Sequence, residues 1–324
     1  MSGATPQTDI APDRLTLLAL VAVTILGGAN AIAVKVTVIE LAPLWGAAIR
    51  FLAAAALMLL VALATRRALP RGRGLWGAAL YGVLGFTAAY GLGYTAIRDV
   101  PAGTLMVLVA LTPLFTFGLA IAHRQEEFHV QGLLGAVVAV IGVGIVFADQ
   151  LSADVPLASL LLVVLMAAAI AEAGVIVKWI PKSDPFATNG VAMLVGGGLL
   201  AVLSLVSAEP WGLPSGGDTW IALVYLVLLG SIVMFGLYVF ALSRWRASGV
   251  SYVTLLMPVV TVVLAAILTG EQITPPFVLG SAVIIGGVYV GAFLTRRPNR
   301  TTASSLPECL PQQDSAEAAP QRAG

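Results

Sequence analysis

Charge is scarce in this chain of 324 residues: 10% of its side chains are Asp, Glu, Lys or Arg, against roughly a quarter in an average soluble domain. With 59% of residues apolar, a soluble monomer could not hide so much hydrophobic surface. The 17 Lys and Arg against 16 Asp and Glu leave a net charge of +1, without the basic excess that nucleic-acid binding requires. Lipid is the partner that composition implies. The single cysteine, Cys309, lies in a polar C-terminal stretch, and the two histidines, His123 and His129, share one short loop. Disulfides within the chain are thereby excluded and a clustered metal site is not expected. No GxxxxGK[ST] phosphate loop, HExxH or GxSxG occurs, which argues against ATP drive within the chain and against common hydrolytic centres. Gly142-Val143-Gly144 falls inside an apolar stretch and is no phosphate loop. No cofactor is implied.

What is abundant is apolar sequence in runs of about 20 residues, the length needed to cross a hydrocarbon core of about 30 Å. Ten such runs cover residues 15–34, 44–64, 75–97, 100–122, 131–148, 157–180, 186–207, 219–242, 249–269 and 276–295. The first also fits a secretory signal, with Arg14 before it and Ala31-Ile32-Ala33 as a cleavage site. Its length and its counterpart later in the chain favour a retained helix. Residues 1–13 and 296–324 are too polar to bury a core and are expected to be disordered tails, and 149–156 reads as an external linker.

Orientation follows from Lys and Arg in the short loops. With the N-terminus cytoplasmic, fourteen of them face the cytoplasm and two, Lys35 and Arg98, face outward, while Arg50 falls within a span. Both termini are therefore expected inside.

Sliding the chain by 145 residues lays 90–148 on 235–293 without a gap. Pro113 then meets Pro258, Thr116 meets Thr261, Glu126 meets Glu271, Gly135 meets Gly280 and Gly142 meets Gly287. Val34-Lys35 recurs as Val177-Lys178, and Ala42-Pro43 is followed by Asp184-Pro185, at slightly different offsets. Each half, 14–148 and 157–295, then holds five spans, and an odd number sends the second half into the membrane from the opposite side. The expected fold is an all-α integral membrane protein of ten transmembrane helices in two inverted five-helix repeats. Many secondary transporters use that plan for alternating access.

Pro43 with Arg50 and Phe51, the segment PAGTLMVLVALTPLFT at 101–116, Glu126 followed by Gly132, Gly135 and Gly142, and the second copy SYVTLLMPVVTVV with Glu271, Gly280 and Gly287 carry a resemblance. The chain resembles the EamA family of the drug/metabolite transporter superfamily over nearly all of 15–295. The resemblance implies a ten-helix inner-membrane carrier that exports metabolites, amino acids or toxic compounds. One departure is that Leu26-Gly27-Gly28-Ala29-Asn30 lacks the Trp-Gly common early in the family's first helix.

Several residues stand out within the spans. Pro113 and Pro258 each remove an amide donor and release a carbonyl one turn earlier, at Val109 and Thr254. Interrupted helices at matching positions point to a transporter binding site; a kink that only improves packing is the alternative. Thr112 with Thr116, and Thr254 with Thr261, share helix faces beside the prolines. Their hydroxyls either meet a substrate or bond back to their own helix. Glu172 is the only carboxylate deep inside a span, where charge is costly and marks a cavity, a partner or a proton pathway. It is the proton-coupling candidate, with a buried hydrogen-bonded acid as its structural alternative. Arg50 matches an arginine common in the family and could equally tie helices together. Asn30 offers an amide to a substrate or to a neighbouring helix. Tyr90 and its repeat partner Phe235 are candidate cavity aromatics. Lys35 and Lys178 read as interfacial anchors, and Tyr94, Trp45, Trp179, Trp220 and Trp245 as belt residues.

The function these features suggest is secondary transport of a small molecule, with protons as the candidate drive. An intramembrane enzyme or a non-transporting receptor or scaffold is the alternative.

Overall fold

The computed structural model describes residues 12–96, 99–100, 102–148, 155–181, 184–269 and 273–294. Most of both expected tails, including Cys309, most of the expected linker, and Arg98, Lys182 and Glu271 lie outside the described residues. Among the described residues the long regular elements are all helical. In order they are α1 (Arg14–Thr37), α2 (Pro43–Ala64), α3 (Arg73–Gly82), a π-helical turn π1 (Val83–Ala88), α4 (Ala89–Ala96), α5 (Ala102–Val109), α6 (Thr112–Ala122) and α7 (Val130–Val146). Then follow α8 (Leu157–Trp179), α9 (Pro185–Val206), α10 (Gly217–Val227), a second π turn π2 (Leu228–Val233), α11 (Met234–Arg244), α12 (Ala247–Ser251), α13 (Val253–Thr269) and α14 (Pro275–Phe293).

Among the described residues nine helical segments are long and apolar enough to cross a membrane. The tenth expected span is α7, whose 17 residues reach about 26 Å at the α-helical rise. The outer surface carries Leu18, Leu60, Trp76, Val206 and Ile221 exposed, which only a lipid environment tolerates in such number. This is a multi-pass membrane protein. Helices suit that setting because every backbone polar group is satisfied within its own segment.

Helix starts are written locally. Asp13 caps α1 by accepting from the amide of Thr16 at 3.2 Å. Asp184 caps α9 by accepting from Phe186 and Ala187, and proline opens α2, α9 and α14. Ala42 at the start of α2 has no capping side chain, so Glu209 supplies it from another loop and accepts from Leu44 and Trp45 at 3.3 and 3.0 Å.

α2 packs along α9, and α7 along α14. The first helix of each half leaves its own half: α1 packs on α10, α11 and α13, while α8 packs on α3, α4, α5 and α6. The α7–α14 contact depends on glycine. A Cβ on Gly135 would lie 2.6 Å from the Gly287 carbonyl oxygen, and one on Gly142 would lie 2.9 Å from that of Gly280. Small residues let backbones approach this closely where lipid supplies no hydrophobic drive between helices.

The two π turns interrupt the third and eighth expected spans, and the second starts at residue 228, 145 residues after the first at 83. The repeat register, read in the sequence from Tyr90 onward, thus extends upstream in the backbone itself. The prolines behave differently from one another. The chain breaks at Ala110-Leu111, just before Pro113, whereas Pro258 sits inside the continuous α13. In the second half the break falls at Tyr252, between α12 and α13, so matched interruption at the two prolines is not found.

Candidate functional site

Arg50 projects from α2 into the protein interior and is 3% exposed. Its Nε donates to Ser231 Oγ and its Nη2 to the Gly230 carbonyl, both at 2.8 Å. From α1, Asn30 Nδ2 donates to the same carbonyl at 3.2 Å and lies 3.3 Å from Met234 Sδ. Gly230 and Ser231 belong to π2, and π turns shift carbonyls out of the regular i→i+4 ladder, which is why they recur at functional sites. Gly230 has to lack a side chain here, because a Cβ would fall on Asn30 Oδ1. That oxygen is buried and accepts no hydrogen bond.

Aromatic rings wall this polar centre. The Arg50 guanidinium carbon lies 4.9 Å from the Phe51 ring centre and 5.9 Å from that of Tyr90. Phe51 packs edge-on against Tyr90 at 4.8 Å and Phe235 at 6.4 Å, and Phe86 fills the space between Phe51 and Phe235. Tyr225 closes one side by donating to the Leu26 carbonyl at 3.1 Å. Four of the residues picked from sequence, Asn30, Arg50, Tyr90 and Phe235, therefore converge. Phe51, Phe86, Tyr225, Gly230 and Ser231 complete the cluster and were not singled out as site residues. The 145-residue register, carried upstream of Tyr90, would have drawn attention to Gly230 opposite Gly85.

The remaining residues lie elsewhere. Thr112 Oγ1 donates to the Val109 carbonyl at 2.6 Å, taking up the acceptor that Pro113 frees, and Thr116 Oγ1 donates to the Thr112 carbonyl at 2.8 Å. Thr254 Oγ1 donates to Ser251, while Thr261 Oγ1 reaches across to the Gly28 carbonyl at 2.9 Å as well as back to Met257. In this conformation the threonine hydroxyls serve the backbone, and Thr261 ties α13 to α1.

Glu172 on α8 is not isolated. His123, the C-terminal cap of α6 and the first residue of the loop to α7, places Nε2 3.1 Å from Glu172 Oε1. Glu172 Oε2 is buried and accepts no hydrogen bond.

At the end of the bundle where α1 begins, a network joins loops of the two halves. Glu126 accepts the amide of Ser248 at 3.0 Å, and also its hydroxyl. Lys178 donates to the Trp245 carbonyl at 2.6 Å. Arg246 contacts His129 Nε2 at 2.9 Å and donates to the carbonyls of Gly291 and Ala292. Lys178 and Trp245, expected as interfacial residues, are thus drawn into this network, and Trp245 is buried. At the opposite end Glu40 accepts from Ser215, Gly216 and Thr219. Those donors, the Thr219 hydroxyl first among them, bring the Glu40 carboxyl down to about 2.

Comparison with known proteins places this architecture. The chain is 29% identical over 282 residues to the "Uncharacterized inner membrane transporter YedA" of Escherichia coli K12, covering 84% of this chain and 89% of that one. It is 26% identical over 285 residues to the "Probable amino-acid metabolite efflux pump" of Salmonella typhimurium, covering 84% and 92%. A WAT1-related chloroplastic protein of Arabidopsis thaliana is 26% identical over 277 residues, covering 82% of this chain and 66% of the relative. A solved crystal structure shares the fold with a TM-score of 0.77 at 18% identity, over 87% of this chain and 97% of that one. The pattern of the EamA-like transporter family matches residues 14–148 and again 157–292. With both halves matched, the chain belongs to the EamA-like transporter family, within the drug/metabolite transporters.

Proposed function

We propose that this protein is a secondary carrier that exports a small metabolite, amino acid or drug-like compound across the bacterial inner membrane by alternating access. In this reading ten transmembrane helices form two inverted five-helix repeats with both termini cytoplasmic. The substrate meets the Asn30–Arg50–Tyr90–Phe235 centre, and Glu172 couples movement to protons.

One observation carries the reading: the glycine contacts between α7 and α14 are crosswise. In the repeat register Gly135 corresponds to Gly280 and Gly142 to Gly287, yet the close pairs are Gly135 with Gly287 and Gly142 with Gly280. Each contact is then the image of the other, the signature of a two-fold relation between the halves. Five spans per half put that axis in the membrane plane, the symmetry that lets one chain face either side. The exchange of α1 and α8 between halves supports the same relation. Names of relatives agree in kind, one an inner membrane transporter and another an efflux pump.

The test is flux. Purified protein in proteoliposomes is expected to give saturable movement of at least one class among amino acids, nucleosides and cationic drugs, with faster exchange when substrate is present on both sides. A protein that binds such compounds but never moves them is a receptor, and the carrier reading then falls.

A further inference from the structure

Arg50 poses a specific energetic question. A guanidinium buried in a membrane protein is costly and normally pairs with a carboxylate or faces a functional cavity, yet among the described residues no carboxylate pairs with Arg50. Its two direct hydrogen bonds use part of a fork that carries five N–H donors. A structural explanation would be that Arg50 and Asn30 are needed to hold the π turn beneath them. The other half of the chain supplies the control.

Counting from Val34-Lys35 and Val177-Lys178, Asn30 corresponds to Ala173. Counting from the prolines that open α2 and α9, Arg50 corresponds to Ala192. The first equivalence holds in space, because the π1 glycine Gly85 looks onto the Ala173 methyl, 3.3 Å from where a Cβ would stand, as Gly230 looks onto Asn30. The π1 turn forms over Val83–Ala88 with alanines in both positions. A π turn in this fold therefore needs neither an arginine nor an asparagine. The cation and the unpartnered Asn30 Oδ1 are additions made on one side of the pseudo-symmetric pair.

We infer that Arg50 is the carboxylate-binding residue of the transport site, and that the substrates are small organic acids with an apolar body. This rests on the carrier reading above. The carboxylate takes the free edge of the Arg50 fork, the geometry guanidinium matches best. The apolar body lies against Tyr90 and Phe235, which are only partly buried. Asn30 Oδ1 accepts a hydrogen from a donor adjacent to the carboxylate, such as a hydroxyl or an amine.

Matched acid and amide pairs test the assignment, with phenylacetate against phenylacetamide and L-phenylalanine against L-phenylalaninamide as the probes. Binding to the purified full-length protein is followed by tryptophan fluorescence and thermal shift. The acids are expected to bind at least about tenfold more tightly than the amides, as loss of a charge-assisted bidentate pair implies. Arg50→Gln is expected to erase that preference, and Arg50→Lys, which keeps the charge without the fork, to retain part of it. Amides that bind as well as acids, a preference that survives Arg50→Gln, or no acid binding to the wild type each overturns the inference. If Arg50→Gln does not fold, the acid–amide comparison on the wild type still decides. Saturable flux of amides or amines with indifference to acids would overturn the carboxylate assignment and leave the carrier standing. Absence of saturable flux for any probe would count against the carrier itself.

Discussion

Glu172 Oε1 and His123 Nε2 lie 3.1 Å apart, joining the C-terminal half of α8 to the end of α6. The carboxylate's second oxygen is buried without a hydrogen bond.

Replacing Glu172 by Gln keeps the shape and a hydrogen-bonding group beside His123 but removes the ionisable carboxyl. Exchange of substrate across proteoliposomes is expected to persist in Glu172→Gln while its response to an imposed pH gradient disappears. Undiminished gradient-driven flux would sink proton coupling through this residue and leave the carrier assignment intact.

Pro113 and Pro258 occupy equivalent positions in sequence but different backbones, so their alanine variants are expected to separate. Pro113→Ala restores the amide whose absence accompanies the break at Ala110-Leu111 and should slow transport more than it harms insertion. Pro258→Ala removes a helix-disfavouring residue, worth up to about 3 kcal/mol in an ordinary helix interior, and should raise thermal stability with flux largely retained. Normal flux in both variants would return both prolines to a packing role.

Glycines in α7 are expected to divide by what faces them. A Cβ on Gly135 or Gly142 meets the backbone of α14, whereas one on Gly144 meets nothing within 4 Å. Gly135→Ala should therefore destabilise by about 1–3 kcal/mol through overpacking, while Gly144→Ala should be neutral or stabilise by about 0.5–1 kcal/mol. Denaturation in detergent reads both, and a harmless Gly135→Ala would contradict the close α7–α14 approach.

Orientation is testable through Cys309, the only thiol in the chain. The excess of Lys and Arg on one set of loops predicts that an impermeant maleimide leaves it unlabelled in intact cells and labels it once the membrane is opened. Labelling of intact cells would reverse the assigned topology.

The sequence by itself determined the membrane-spanning helices, because a run of about 20 apolar residues satisfies its backbone internally wherever it lies in lipid. It also determined the internal repeat, since Pro113, Gly135 and Gly142 recur as Pro258, Gly280 and Gly287 at one offset. Asp13 and Asp184 cap the helices that follow them, a local role not singled out in the sequence. What only tertiary structure decided is which of these residues meet. Asn30 and Arg50 come together on the carbonyl of Gly230, about 200 residues away in the chain, and no local pattern encodes a contact between helices of different halves. The π turns were hidden for a related reason: one extra residue in a helical turn leaves hydropathy unchanged. The His123–Glu172 contact was hidden as well, because it forms only when α8 packs on α6. Spans follow from the preference of each segment for lipid, whereas the site follows from the mutual fit of helices, which is a property of surfaces that a single segment does not carry.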